Sequence, residues 1–158
     1  MLSFDHANSA GTGSQLVVDI EKSEDGNGGF VVLTIRPQTS LPEFDSSGRR
    51  RAYAQFGSMA DATACLTAKQ IVHILGVLEG RADSVLGGKG LYSCNDGAET
   101  VVHADKMKER PFGYALHIRV RQDGDVFDQR IVINQSEALA IAKAVNSVFG
   151  MLAFGDFR

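Results

Sequence analysis

Two stretches of the chain carry apolar residues at helical spacing, and a polar capping signature opens each of them after a run of strand-type sequence. In the first, Thr67-Ala-Lys-Gln70 leads into Ile71, Val72, Ile74, Leu75 and Leu78. In the second, Asn134-Gln-Ser-Glu137 leads into Ala138, Ile141, Ala142, Val145, Val148 and Phe149. A short polar side chain at the cap accepts from an exposed N–H of the first turn. Gln or Glu three residues on reaches back to the cap's own N–H. Recurrence at i, i+3, i+4 and i+7 marks one side of each helix as the buried one.

Before each helix the pattern has period two. Gln15–Glu21 alternates Leu16, Val18 and Ile20 against Gln15, Val17 and Asp19, and Phe30–Arg36 follows across the glycine-rich turn 23–29. Pro37 and Pro42 bound a link ending at Ser46-Ser47-Gly48, after which Arg49–Phe56 reads as a third strand and Thr63–Leu66 as a short fourth. Glu79-Gly80 stops the first helix. In the second half, Gly90–Asn95 and Thr100–Ala104 pair across Asp96-Gly97, and Phe112–Gln122 pairs with Val126–Ile133 across Asp123-Gly124. The last helix runs from about Gln135 to Met151. Strands in series followed by a helix predict an α+β fold: two antiparallel sheets, each followed by a helix, or ββββα made twice. Residues 1–13 read as a mobile arm and 14–153 as one domain of two pseudo-repeats, 14–80 and 89–153. Residues 154–158 read as a tail carrying Phe154 and Phe157. The second helix is apolar over nearly its whole length, so it can face both its own sheet and a neighbouring subunit. A homo-oligomer is expected.

At 158 residues the chain can bury a sizeable core without a disulfide or metal. Cys65 and Cys94 form one bridge or two thiols, and two thiols in a reducing compartment is the preferred reading. No basic-then-apolar leader opens the chain and no run looks long enough to span a membrane, so a soluble cytoplasmic protein with no membrane partner is expected. The net charge of −3 hides an uneven distribution. Residues 1–45 balance at −5 and residues 46–158 at +2, which argues against a strong non-specific polyanion binder yet leaves local basic patches.

Those patches carry the candidate chemistry. Arg49-Arg50-Arg51 precedes Ala52-Tyr53-Ala54-Gln55-Phe56, and alternation puts Arg51, Tyr53 and Gln55 on one face. Cations meet phosphates and an aromatic ring takes an unstacked base, the combination that single-stranded nucleic acid needs. In Phe112–Gln122, Tyr114, Leu116, Ile118 and Val120 form an apolar face, and His117, Arg119 and Arg121 a polar one that Arg130 of the next strand extends. Each half thus offers a strand with several cations on the face its core does not need, although an amphipathic strand with a solvated outer face produces the same pattern. Lys106, Lys108 and Arg110 share a mixed-charge loop with Asp105 and Glu109. Gly87-Gly88-Lys89-Gly90 lacks the Ser or Thr and the following helix of a phosphate-cradling loop, and reads as a tight turn with one useful lysine. His6, His73, His103 and His117 show no ligand spacing, with His73 expected to be packed on an apolar helix side. No nucleophile elbow or metal motif is present, so no catalytic residue, metal or cofactor is assigned.

The doubled order of strands and helix, the two capping signatures and the aromatic tail resemble the Whirly family and the related kinetoplastid guide-RNA-binding proteins, over roughly Gln15 to Phe154. The basic-and-small motif of the plant proteins is absent from Leu16–Glu21. The resemblance implies two four-stranded sheets over a helical kernel, tetramers built through the helices, and single strands lying across the sheets. A compact chain of this kind suits a bacterial virus, whose single-stranded-DNA-binding RNA polymerase cofactor is the particular relative suggested. The resulting expectation is a non-enzymatic single-stranded nucleic-acid binder of low sequence specificity, DNA before RNA, acting in transcription or replication. Arg49, Arg50, Arg51, Arg119, Arg121 and Arg130 would meet phosphates, with Lys89 and His117 counted among the nucleic-acid-binding residues. Tyr53, Tyr92 and Tyr114 are the stacking candidates, Tyr114 lying on the apolar side of its strand. The competing expectation is an oligomeric protein-interaction scaffold whose cations only solubilise the sheets.

Overall fold

A computed structural model, describing residues 1–155, turns these patterns into ten strands and two α-helices. In the first half β1 (Leu2–His6), β2 (Ser14–Lys22), β3 (Gly29–Pro37), β4 (Glu43–Phe44), β5 (Arg50–Ala52) and β6 (Ala62–Leu66) precede α1 (Ala68–Leu78). In the second, β7 (Leu91–Asn95), β8 (Ala98–Lys106), β9 (Tyr114–Gln122) and β10 (Asp125–Ile133) precede α2 (Gln135–Phe154). Sheet one is ordered β1-β2-β3-β6 and sheet two β7-β8-β9-β10, with every neighbour antiparallel. Four strands and a helix are therefore made twice, and a separate β4–β5 hairpin is inserted before the last strand of sheet one.

The strand count of the first half matches the expectation, but its membership differs. Residues 1–13 were expected to be a mobile arm, and Leu2–His6 instead forms the edge strand of sheet one, Phe4 opposite Leu16. Leu2 and Phe4 alternate inward onto the core. The buried amide of Gln38 fixes the return segment. Its Oε1 accepts from Asn8 N (2.9 Å) and Gly13 N (3.1 Å), while its Nε2 donates to the Asn8 and Ser40 carbonyls (3.1 and 2.9 Å). Conversely, Arg49–Phe56 was expected to be a full strand, and only Arg50–Ala52 is extended. β1 and β6 already flank β2 and β3, so the segment has no place beside that pair; Arg50–Ala52 pairs with Glu43–Phe44, and Phe56 makes an isolated bridge to Gln38. Phe154 closes α2 instead of opening a tail, while Phe157 and Arg158 lie outside the described residues.

Both helices begin as their sequences require. Thr67 accepts from Gln70 N and Gln70 returns to Thr67 N, and Asn134 and Glu137 make the same reciprocal pair at 2.8 and 3.0 Å. Glu137 also reaches the first sheet, where His6 Nε2 lies 2.8 Å from its Oε2 and ties β1 to the second cap. Replacing Asn134 by alanine is expected to cost about 1 kcal/mol and to lower Tm by about 2–4 °C, read by thermal unfolding. An unchanged Tm would show that the cap is idle. Both helices and the inner faces of both sheets share one continuous core, including Leu16, Ile35, Ile71, Ile74, Leu116, Ile133 and Ile141. α2, with 20 residues and mean hydropathy 1.4, is long and apolar enough to cross a membrane by length and composition, contrary to the expectation. Its Ala138, Ile141, Ala142, Val145 and Leu152 face the core. Leu139 of α2 and Val72 and His73 of α1 are exposed, so His73 is not the packed histidine expected.

Candidate nucleic-acid interface

The outer face of sheet two is built by alternation along β9. Tyr114, Leu116, Ile118 and Val120 point into the core, leaving His117, Arg119 and Arg121 outside. Register then decides their neighbours. One row crosses all four strands: Asp128 beside Arg119, Arg119 beside Val101, Val101 beside Tyr92. A second row places Arg130, His117 and His103 side by side, and a third places Val126, Arg121, Glu99 and Cys94. The tight turns Asp96-Gly97 (φ 50° and 78°) and Asp123-Gly124 (φ 51° and 83°) hold two of these registers, since their left-handed backbone matches the twist of a hairpin.

Tyr92 is 60% exposed, with Arg119 about 10 Å away at the usual strand spacing, so a ring and a cation stand on one rigid surface. Glu99, Val101, Arg119 and Arg121 line a groove of about 220 Å³. The Glu99 carboxylate beside Tyr92, assisted by desolvation, pushes the phenol up from its ordinary value, so the ring stays neutral. Arg119 and Arg121 are exposed, and among the described residues neither makes an ion pair, although Asp128 and Glu99 stand opposite them. Asp128 instead bonds His117 Nε2.

The arginine triplet forms a second surface. Arg49, Arg50 and Arg51 sit on the inserted hairpin, whose loop the Asp45 carboxylate organises by accepting from Ser47 Oγ (2.7 Å), Ser47 N (2.9 Å) and Arg49 N (2.9 Å). These hydrogen bonds hold the Asp45 carboxyl below its usual range. The expected alternation fails here because the strand is too short. The Arg50 guanidinium lies over the Tyr53 ring at 4.8 Å and near Phe44 at 5.9 Å, although Arg51 was expected to be the companion of Tyr53. Arg50, Tyr53, Phe44 and Phe56, with Asp5 and Asn8, line a groove of about 530 Å³. This groove and that of sheet two share no residue.

One further expectation changes. Tyr114 is 6% exposed and belongs to the core, so it cannot stack on a base. Lys89 is exposed in the turn before β7, beside Gly90. Arg130 borders a cleft of about 480 Å³ between the sheets, with His6, Ser14, Phe112 and Glu137, and its Nη2 reaches Met107 Sδ at 3.7 Å. The recurrence of cationic strands also breaks. Alternation gives sheet one an outer face of Asp5, Asp19, Glu21, Val32 and Thr34, where Arg36 faces Asp61 at 3.5 Å. Sequence reasoning missed His103, Phe44 and Phe112. The outward position of His103 was legible by alternation, but its pairing with His117 depends on the β8–β9 register across the 107–113 loop. Burial raises the Cys65 thiol, aided by Glu21, which disfavours a thiolate there. Among the described residues no group of three or more His, Cys, Asp and Glu could hold a metal ion.

No family model and no curated protein matches the chain. Solved structures do. The plant transcriptional regulator PBF-2, a Whirly protein, superposes with TM-score 0.66 at 14% identity, over 96% of this chain and 90% of its own. The trypanosome MRP1/MRP2 structures give 0.63 at 16% identity, over 94% and 83%. A guide-RNA-binding protein complex bound to a gRNA gives 0.51 at 14% identity, over 86% and 90%. Identities this low speak for architecture alone, and by that architecture the chain has the Whirly fold.

Proposed function

We propose that this chain binds single-stranded nucleic acid, DNA in preference to RNA, with low sequence specificity, across the outer face of sheet two. The observation that carries the reading is the row Tyr92–Val101–Arg119 with Arg121 alongside, an exposed ring and two exposed guanidiniums without an ion pair among the described residues, on a strand layer backed by the core. Arginines fix phosphates, and a ring accepts any base on its π-face, so this combination binds without reading sequence. The gRNA-bound complex of the same fold supports the polymer class, and the description of PBF-2 as a transcriptional regulator supports a role in transcription. Action as a phage RNA polymerase cofactor, in the host cytoplasm, is the finer part of the proposal. The hairpin with Arg49, Arg50, Arg51 and Tyr53 gives a second contact region, and Lys89 and Arg130 flank the main one. Self-association through the exposed side of the helices, at Val72 and Leu139, completes the assembly as a homo-oligomer, a tetramer by likeness. Light scattering checks it, and a monomer at working concentration removes that part.

Fluorescence anisotropy with a labelled poly-dT strand at low and moderate salt tests the reading. Binding at micromolar strand or tighter is the expected result at low salt, and its absence would favour a protein-interaction scaffold. A ribose strand of the same length measures polymer preference. Tyr92→Ala is expected to weaken binding about tenfold without changing its salt dependence, because stacking releases no counterions. An unaltered affinity would remove Tyr92 from the site.

A further inference from the structure

The charges on the outer face of sheet two nearly cancel. Arg119, Arg121 and Arg130 are balanced by Glu99, Asp105 and Asp128, all on outward positions of β8, β9 and β10. A face that binds a polyanion needs a surplus, and the side chains able to supply one lie at its centre. His103 on β8 and His117 on β9 are directly opposite, their rings stacked with centroids 6.0 Å apart and planes at 25°. Histidine is the side chain whose charge ordinarily changes between about pH 5 and pH 8.

The pair is held in place from both sides. Gly90 lies under His103, and a Cβ there would sit 2.6 Å from the ring's Cε1, so only glycine leaves the ring its seat. On the other side Asp128 of β10 engages His117 Nε2. Accepting that bond fixes the proton on Nε2 and leaves Nδ1 as the nitrogen that takes up a second one. Among the described residues no hydrogen bond engages the His103 ring. Around the pair stand Arg119 and Arg121 of β9, Asp128 and Arg130 of β10, Glu99 and Asp105 of β8, and Tyr92 of β7 with Lys89 in the preceding turn. Two adjacent imidazolium rings repel each other, and an oxyanion bridging both removes the repulsion while accepting an N–H from each.

We propose that His103 and His117 form a proton-gated seat for one backbone phosphodiester of the bound strand. The inference rests on sheet two being the nucleic-acid face. Protons are taken up as the strand binds, so affinity rises as pH falls, by at most about tenfold per pH unit for each proton taken up. The full chain is titrated by anisotropy with labelled dT, whose base has no titrating group in this range, at constant ionic strength. Wild-type affinity is expected to rise about tenfold or more from about pH 7.5 to about pH 5.5, and that of the His103→Gln/His117→Gln variant less than threefold. A pH-independent wild type, or a variant keeping the whole gain, overturns the seat while leaving strand binding intact. No binding at any pH overturns the function itself and the seat with it. A second measurement needs no variant: the midpoints of the two imidazole Cε1–H resonances should rise when dT is added, and unmoved midpoints refute the proposal.

Discussion

Replacing Arg119 and Arg121 together by alanine is expected to weaken dT binding about a hundredfold at low salt. Both side chains project from one strand of a sheet whose other face is core, so removing them should leave the fold intact. Neither is engaged by an acid partner among the described residues, so both are available to phosphate oxygens, to which arginine can donate in bidentate fashion. For single strands the slope of log affinity against log salt falls by about 0.7 for each phosphate that is no longer neutralised, and the double variant should therefore lower it by about 1.4. The slope distinguishes this effect from Tyr92→Ala, which lowers affinity at unchanged slope. A double variant with wild-type affinity and slope would move the binding surface elsewhere, with the Arg49–Arg51 hairpin as the first place to look.

The second large effect is on stability. Leu116 lies on the same strand, one residue before His117, yet points the opposite way, 2% exposed and flanked by Ala104 and Ile131 on neighbouring strands. Leu116→Ala should destabilise the fold by about 2–5 kcal/mol, because the cavity left behind adds to the lost burial. At this chain length the loss corresponds to a fall in Tm of about 5–15 °C. Strand affinity measured well below the new Tm should stay near wild type, since no outward side chain has changed. A small drop in Tm would mean that the layer behind the binding face is loosely packed, and the rigidity on which the site depends would be absent.

Much of the site's orientation was legible. Alternation along β9 separated the core residues Leu116, Ile118 and Val120 from the exposed His117, Arg119 and Arg121, and both helix caps were found where their side chains required. Alternation also warned that Tyr114 lies on the apolar side, and the structure buries it. Less was legible in the first half. Arg49–Phe56 has the composition of a strand, yet β1 and β6 occupy both edges of the β2–β3 pair. No local feature of residues 2–6 announces that they win an edge. That outcome comes from the Gln38 amide and the His6–Glu137 pair, which join positions 30 and 131 residues apart in sequence.

The second sheet shows the same division in its electrostatics. Arg119, Arg121 and Arg130 were recognised as cations, but the acids that face them across the strands were not, and neither was the His103–His117 stack. By itself the sequence determined the elements, their caps, their tight turns and the side to which each strand residue points, because hydrogen bonds and pleat act over a few residues. Only the tertiary structure decided which strands meet beyond the hairpins that the turns announce, in what register across the longer loops, and hence which charges become neighbours. Register across a long loop is set by packing against a shared core, to which residues from the whole chain contribute.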